Sequence, residues 1–166
     1  MFVALFEQTL ELTMDMRHRI STALKDAMKS KEADRLSTLR LINAAIKDRD
    51  IALRGTDAET DGVSDDDILG ILGKMVKQRQ ESARAYEEGG RLELAAKELS
   101  EIRIIEDFLP RQLSEAETAA IVDKAIATVG AESLRDMGKV MADLKGAYAG
   151  QMDFGKVGPM VKSRLG

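Results

Sequence analysis

The sequence predicts an all-α protein, and three observations carry that prediction. Apolar residues recur every three or four positions along most of the 166-residue chain. No stretch alternates polar and apolar residues with the two-residue period of a half-buried strand. Only two prolines interrupt the helical stretches, and nine methionines without a tryptophan point to a core filled by aliphatic and thioether side chains.

Taken in order, the periodicity predicts a helix over 17–30, with Ile20, Leu24, Ala27 and Met28 on its apolar side. A second helix is expected over 33–54, striped by Leu36, Leu39, Ile42, Ile46 and Leu53, with Leu41 and Ala45 widening the stripe and Gly55 as its stop. The short connection between them implies an antiparallel hairpin. After a polar, acidic loop over 56–63, Ser64 and Asp67 form a capping box, and Asp65 and Asp66 add negative charge where the helix dipole favours it. That third helix runs through Leu72, Met75 and Val76 to Tyr86 and is closed by Gly89-Gly90. A fourth is expected over 91–108, burying Leu92, Ala95, Leu99, Ile102, Ile105 and Phe108.

Leu109-Pro110 breaks the pattern and marks a domain boundary. Ser114 and Glu117 open a fifth helix that runs to Val129 and is closed by Gly130. Ser133 caps a sixth over 134–148, with Asp136 at its third position. A last helix ends at Leu165, and Pro159 makes it start late or kink. The expected organisation is an N-terminal extension over 1–15, a four-helix domain over 16–109 and a small three-helix domain over 110–166. The extension is read as a short helix or disordered, with Met14 or Met16 as the natural start. It has no basic flank or cleavage site and is too short to span a bilayer, so a cytoplasmic protein with no membrane role is expected.

Composition excludes several chemistries. With no cysteine there is no disulfide framework, thiolate metal site or cysteine nucleophile. The single histidine, His18, cannot build a multi-histidine centre and reads as a surface residue. The Asp65–Asp67 cluster lacks the alternating spacing and central glycine of a calcium loop and reads as helix capping. No serine stands with a credible base and orienting acid, so no triad is expected. Glu98 and Glu101 read as solubilising residues on an exposed face. Catalytic, cofactor-binding and metal-binding residues are therefore expected to be none.

The net charge of −4 argues weakly against a nucleic-acid binder, but the charge is unevenly placed. Residues 17–54 hold ten Lys/Arg against five Asp/Glu, residues 57–67 hold six acids and no base, and residues 135–166 hold six bases against three acids. Four stretches carry more polar detail than capping and core filling require: residues 35–42, 77–82, 89–91 and 136–141. Their bases contact phosphates under one reading. Under the other they form solvated helix faces and helix–helix ion pairs.

The runs RLSTLRLINAAIKDRDI, KMVKQRQESARAYEEGGRLELAAKE, FLPRQLSE and DMGKVMADLK resemble the YqeY family, in order, over essentially 16–166. That family is similar to the C-terminal tail of the B subunit (GatB) of the glutamine-dependent Asp-tRNA/Glu-tRNA amidotransferase. The resemblance implies two helical domains and tRNA as a partner. It also implies possible association with amidotransferase subunits or an aminoacyl-tRNA synthetase. The activity the family name carries is that of a carbon–nitrogen ligase with glutamine as amido-N-donor. Releasing ammonia from glutamine needs a cysteine nucleophile or an activated Ser–Ser–Lys arrangement, and amidation needs a nucleotide pocket with magnesium ligands. The 166 residues contain no such motif. The expectation is an accessory module that binds tRNA and is not catalytic on its own. Its candidate contacts are Arg35, Arg40, Lys47, Lys77, Arg79, Arg91, Lys139, Lys145 and Lys156. The alternative is a protein–protein interaction module without direct RNA contact.

Overall fold

The computed structural model describes residues 15–55 and 62–166. The expectations for residues 1–14 and 56–61 lie outside the described residues. Among those described there are seven α-helices and no strand. The chain divides into two compact units, Met1–Phe108 and Leu109–Gly166.

In the first unit, α1 (Met16–Ser30) begins one residue earlier than the periodicity suggests, because Asp15 caps it by accepting from the His18 N–H at 2.8 Å. It ends where Lys31 adopts a left-handed conformation (φ 57°), letting the Lys31 and Glu32 N–H groups both reach the Ala27 carbonyl. This two-residue turn leads into α2 (Ala33–Arg54). Ser64 stands at the start of α3 (Asp65–Glu88), where the expected capping box forms reciprocally with Asp67. Gly89 to Arg91 reverse the chain: Gly90 has φ 73°, and the Arg91 N–H reaches back to the Tyr86 carbonyl at 2.7 Å. The following helix, α4 (Leu92–Glu106), packs closely along α3.

Ile20, Leu39, Ile42, Ile68, Leu72 and Ile105 are the largest fully buried side chains of this core. Thr38 is buried among them and stays satisfied by donating to the Asp34 carbonyl. Four side chains assigned to apolar stripes lie outside: Met28, Leu41, Leu92 and Leu99 are 55%, 46%, 66% and 38% exposed. Each sits at the margin of its stripe, where the periodicity continues past the surface the neighbouring helices cover.

In the second unit, α5 (Glu115–Val129) carries its capping box and closes on Gly130, whose φ of 72° lets the Gly130 and Ala131 N–H groups bond the Ile126 carbonyl. The expected sixth helix is split: Leu134–Asp136 form a 3-10 turn, and α6 (Met137–Tyr148) begins after it. Ser133 caps that turn, and Asp136 is its third residue as expected. Its carboxylate reaches back to the Glu132 N–H at 3.0 Å and tightens the turn. The last helix, α7 (Phe154–Leu165), does not start late. Asp153 caps it by accepting from Gly155 N–H, and Pro159 is accommodated inside it. The proline removes a single bond, to the carbonyl of Gly155. Val122, Val140, Leu144, Met152, Val157 and Val161 form the core of this unit.

The α5 cap makes this unit pH-sensitive. Arg111 grips Glu117 with two bonds, at 3.1 and 2.9 Å, while the Ser114 N–H also donates to the same carboxylate. The guanidinium contact first, then the cap, lowers the Glu117 carboxyl from 4.5 to about 2. Its folded value lies below its unfolded one, so its contribution is present above about pH 4.5 and disappears as pH falls toward 2. Glu117→Gln should therefore leave an acid titration, followed by far-UV circular dichroism, with a shallower loss of helix across that interval. An unchanged curve would remove Glu117 from the acid response.

Candidate nucleic-acid interface

The nine candidate bases occupy four helices and one turn. Arg35, Arg40 and Lys47 lie on α2, Lys77 and Arg79 on α3, Arg91 in the α3–α4 turn, Lys139 and Lys145 on α6, and Lys156 on α7. Only part of this set is presented outward without a carboxylate attached.

Arg35, Arg79 and Arg91 stand beside carboxylates inside the first unit, and Lys77 is not free either. Arg35 is half-buried and bonds Asp107 at 3.1 Å, with Glu32 at 4.0 Å. Arg79 Nε bonds the Glu101 carboxylate at 2.9 Å, and its Nη1 donates to the Met75 carbonyl. Both side chains of that pair are mostly buried, at 14% and 18% exposure. Glu101 is thus not on a solvated face: it joins α4 to α3. Arg91 is exposed beside Glu93 at 3.7 Å. An open cleft of ≈ 400 Å³ beside Arg35 is also lined by Arg19, Asp26, Glu32, Asp107 and Phe108. Its two arginines are occupied: Arg19 lies over the Phe108 ring at 5.7 Å and reaches the Asp107 carbonyl.

Arg40 and Lys47 are different. The buried residues of α2 are Thr38, Leu39, Ile42 and Ile46. At about 100° per residue, Arg40 and Lys47 fall on the opposite side, within roughly 20° of one another. Both are exposed, and no ion pair among the described residues engages either. The same stripe contains Ala44, Ile51 and Arg54, all exposed. Arg54 escaped the sequence reading, although basic residues at intervals of seven (40, 47, 54) were a signal that could have found it.

Where the α2 stripe ends, a polar knot fixes the helix. Asp50 accepts from Arg17 on α1 and, at 2.9 Å, from the Val63 N–H just before α3. The Arg17 guanidinium first, and the Val63 bond second, hold the Asp50 carboxyl below the usual carboxylate range. The Met16 N–H adds a bond to Asp65 at 3.2 Å. These bonds tie the starts of α1 and α3 to the end of α2.

In the second unit, Lys139, Lys145 and Lys156 are all exposed. Lys139 and Lys145 flank the outer face of α6, about 120° apart around it. Another base of this unit, Arg164, is paired with Asp123. His18 is exposed. No three His, Cys, Asp or Glu side chains among the described residues are grouped to hold a metal ion, and no described helix is long and apolar enough to cross a membrane.

Together these features define a class: an all-helical protein whose described charge clusters are capping, tying and surface-presenting groups. The chain belongs to the Yqey-like protein family, whose model matches residues 17–165. It is similar to an uncharacterized protein of Schizosaccharomyces pombe, with 34% identity over 95 residues, covering 57% of this chain and 72% of the relative. It is also similar to the mitochondrial "altered inheritance of mitochondria protein 41" of Meyerozyma guilliermondii, with 34% identity over 140 residues, 83% of this chain and 64% of that protein. The counterpart from Lachancea thermotolerans is 30% identical over 115 residues, 68% of this chain and 59% of the relative. The chain thus spans less than two thirds of the length of these two mitochondrial relatives.

Proposed function

We propose that this protein is a tRNA-binding accessory module, built as a four-helix domain and a three-helix domain, that does not carry out amidotransfer by itself. The observation that carries the proposal is the pair Arg40 and Lys47, presented together on the outer side of α2 and free of ion pairs among the described residues. Exposed Lys139, Lys145 and Lys156 supply further positive charge on the second unit. Membership of the family, and its similarity to the GatB tail, support tRNA as the polyanion. The site of action in this proposal is the cytoplasm.

Phosphate neutralisation by lysine and arginine releases counterions, so affinity should fall linearly with salt on a log–log scale. Filter binding of the purified full chain to bulk tRNA across a salt series tests this. Arg40→Glu and Lys139→Glu should each weaken binding. Affinity indifferent to salt and to both reversals would exclude the proposal. A stable complex with amidotransferase subunits or a synthetase, with no tRNA shift at low salt, would instead favour a protein-interaction module. Leu92 and Leu134, 66% and 47% exposed, are among the apolar side chains available for that reading.

A further inference from the structure

We infer that the outer stripe of α2, formed by Arg40, Ala44, Lys47, Ile51 and Arg54, is a rail that docks the sugar–phosphate backbone of a double-helical RNA stem. The inference rests on the tRNA reading and narrows it to one helix face and one nucleic-acid form.

The rail is defined by helix geometry. Positions 40, 44, 47, 51 and 54 fall within about 40° of the Arg40 direction, and from Arg40 to Arg54 they extend roughly 21 Å at 1.5 Å per residue. All five are exposed. The opposite side of the helix holds Leu39, Ile42 and Ile46 in the core, so the orientation of the stripe is fixed by packing. The end of the rail is fixed as well, because Asp50 is tied to Arg17 and Val63.

The chemistry of the stripe is one-sided. It contains three cations and no carboxylate, in a chain whose net charge is −4. Asp48 and Asp50 stand on the two flanks, each about 80° round the helix from Arg40, and the Asp50 carboxylate is engaged by Arg17 and the Val63 N–H. Among the described residues, no salt bridge engages Arg40 or Lys47, and Arg54 makes none either, though its charge acts on the Asp50 carboxylate one turn before it. A polyanion is the complementary partner. The spacing selects among polyanions: cations about 10.5 Å apart on a rigid rod meet phosphates repeatedly only if the ligand is itself held straight. Ala44 carries a single methyl between the first two cations, so the helix surface stays low there and a backbone can approach it. Ser37 is exposed one turn before Arg40, about 60° round the helix, and adds a hydroxyl of the kind that bonds phosphate oxygens. The aliphatic Ile51, 63% exposed, can lie against a ribose. The α2 sequence contains no aromatic side chain, so it has no platform on which the splayed bases of a single strand would stack. Shape and backbone contact are how double-helical RNA is read.

The test compares two triple variants of the full chain with equal change in net charge. The first is Arg40→Gln, Lys47→Gln, Arg54→Gln. The second, a control away from the rail, is Lys25→Gln, Lys29→Gln, Arg103→Gln. All six positions are exposed, and circular dichroism checks that both variants retain their helices. The probes are bulk tRNA, a short RNA hairpin with a continuous stem, and an unstructured RNA of the same length. The rail variant should bind tRNA and hairpin roughly tenfold or more weakly, with a log–log salt slope smaller by about 2 to 3. The control should change far less, and the unstructured RNA should bind more weakly than the hairpin. Equal losses in the two variants would overturn the rail while leaving tRNA binding intact. Unstructured RNA binding as tightly as the hairpin would overturn the preference for a stem. No salt-dependent tRNA binding by the unaltered protein would remove the tRNA reading and the rail together.

Discussion

Glu101→Ala is expected to lower the unfolding free energy by about 2–3 kcal/mol, read as a shift in the denaturation midpoint at constant slope. The reason is what the substitution leaves behind. Arg79 keeps its charge at a site where it is only 14% exposed, with the Met75 carbonyl as its remaining bond. An exposed pair would be worth only a few tenths to about 1 kcal/mol, and a fully buried one would cost about 3–5 kcal/mol to break; this pair lies between. Replacing both partners by apolar groups of similar size, Arg79→Met with Glu101→Leu, should restore stability to within about 1 kcal/mol of the parent, because no charge is left unpaired. A Glu101→Ala protein as stable as the parent would show the pair to be screened by solvent. The double variant also bears on function: if Arg79 contacts RNA as well as Glu101, tRNA affinity falls although the fold is kept.

Gly62→Ala should be more damaging than its one added methyl suggests. Gly62 has φ 113°, a conformation that side chains rarely adopt, and an added Cβ would stand 2.9 Å from Arg17 Nη2 and 3.0 Å from Asp50 Oδ1. The methyl therefore strains the backbone and presses on the ion pair that joins α1 to α2. A loss of about 2–4 kcal/mol is expected from strain and displacement combined. Gly55→Ala provides the contrast: its Cβ meets nothing nearer than 3.6 Å, and its φ is −82°. Equal thermal shifts for the two variants would contradict the role given to Gly62. Asp50→Asn separates the two causes. It keeps the shape, weakens the guanidinium contact, and should remove the part of the acid sensitivity that comes from Asp50. That part has the same sign as for Glu117, since the folded carboxyl lies below its ordinary value: the stabilisation is present at neutral pH and fades as acid protonates the group.

What could be read in the sequence was what depends on near neighbours. The capping boxes at Ser64 and Ser114 are contained in four residues, and both formed as expected. Helix order followed from periodicity for the same reason. The Arg79–Glu101 bond crosses 22 residues, the Arg17–Asp50 bond 33 and the Arg35–Asp107 bond 72, so no local pattern announces them. Helical phase alone placed Leu92 and Leu99 in the core. They are exposed because a stripe specifies a direction, whereas burial also requires a neighbour there. On the candidate interface, residue type identified Arg40 and Lys47, the seven-residue interval links Arg54 to them, and the position of the α2 core shows that this side, with Ala44 and Ile51, faces outward. The split at Leu134–Asp136 turns on a side chain reaching back four residues, a choice between two local bonding patterns that composition does not decide.

The three-residue reversal between α3 and α4 also sets a time order for folding. Its contacts are close in sequence, so they close cheaply and quickly, and this hairpin is the natural nucleus of the first unit. The Asp50 knot draws together segments from α1, α2 and the loop before α3, and it can close only after those parts have met. Interactions absent from the folding transition state act on the rate of escape from the native state. The knot therefore governs chiefly how long the folded unit persists, while the glycine turn governs how soon it forms.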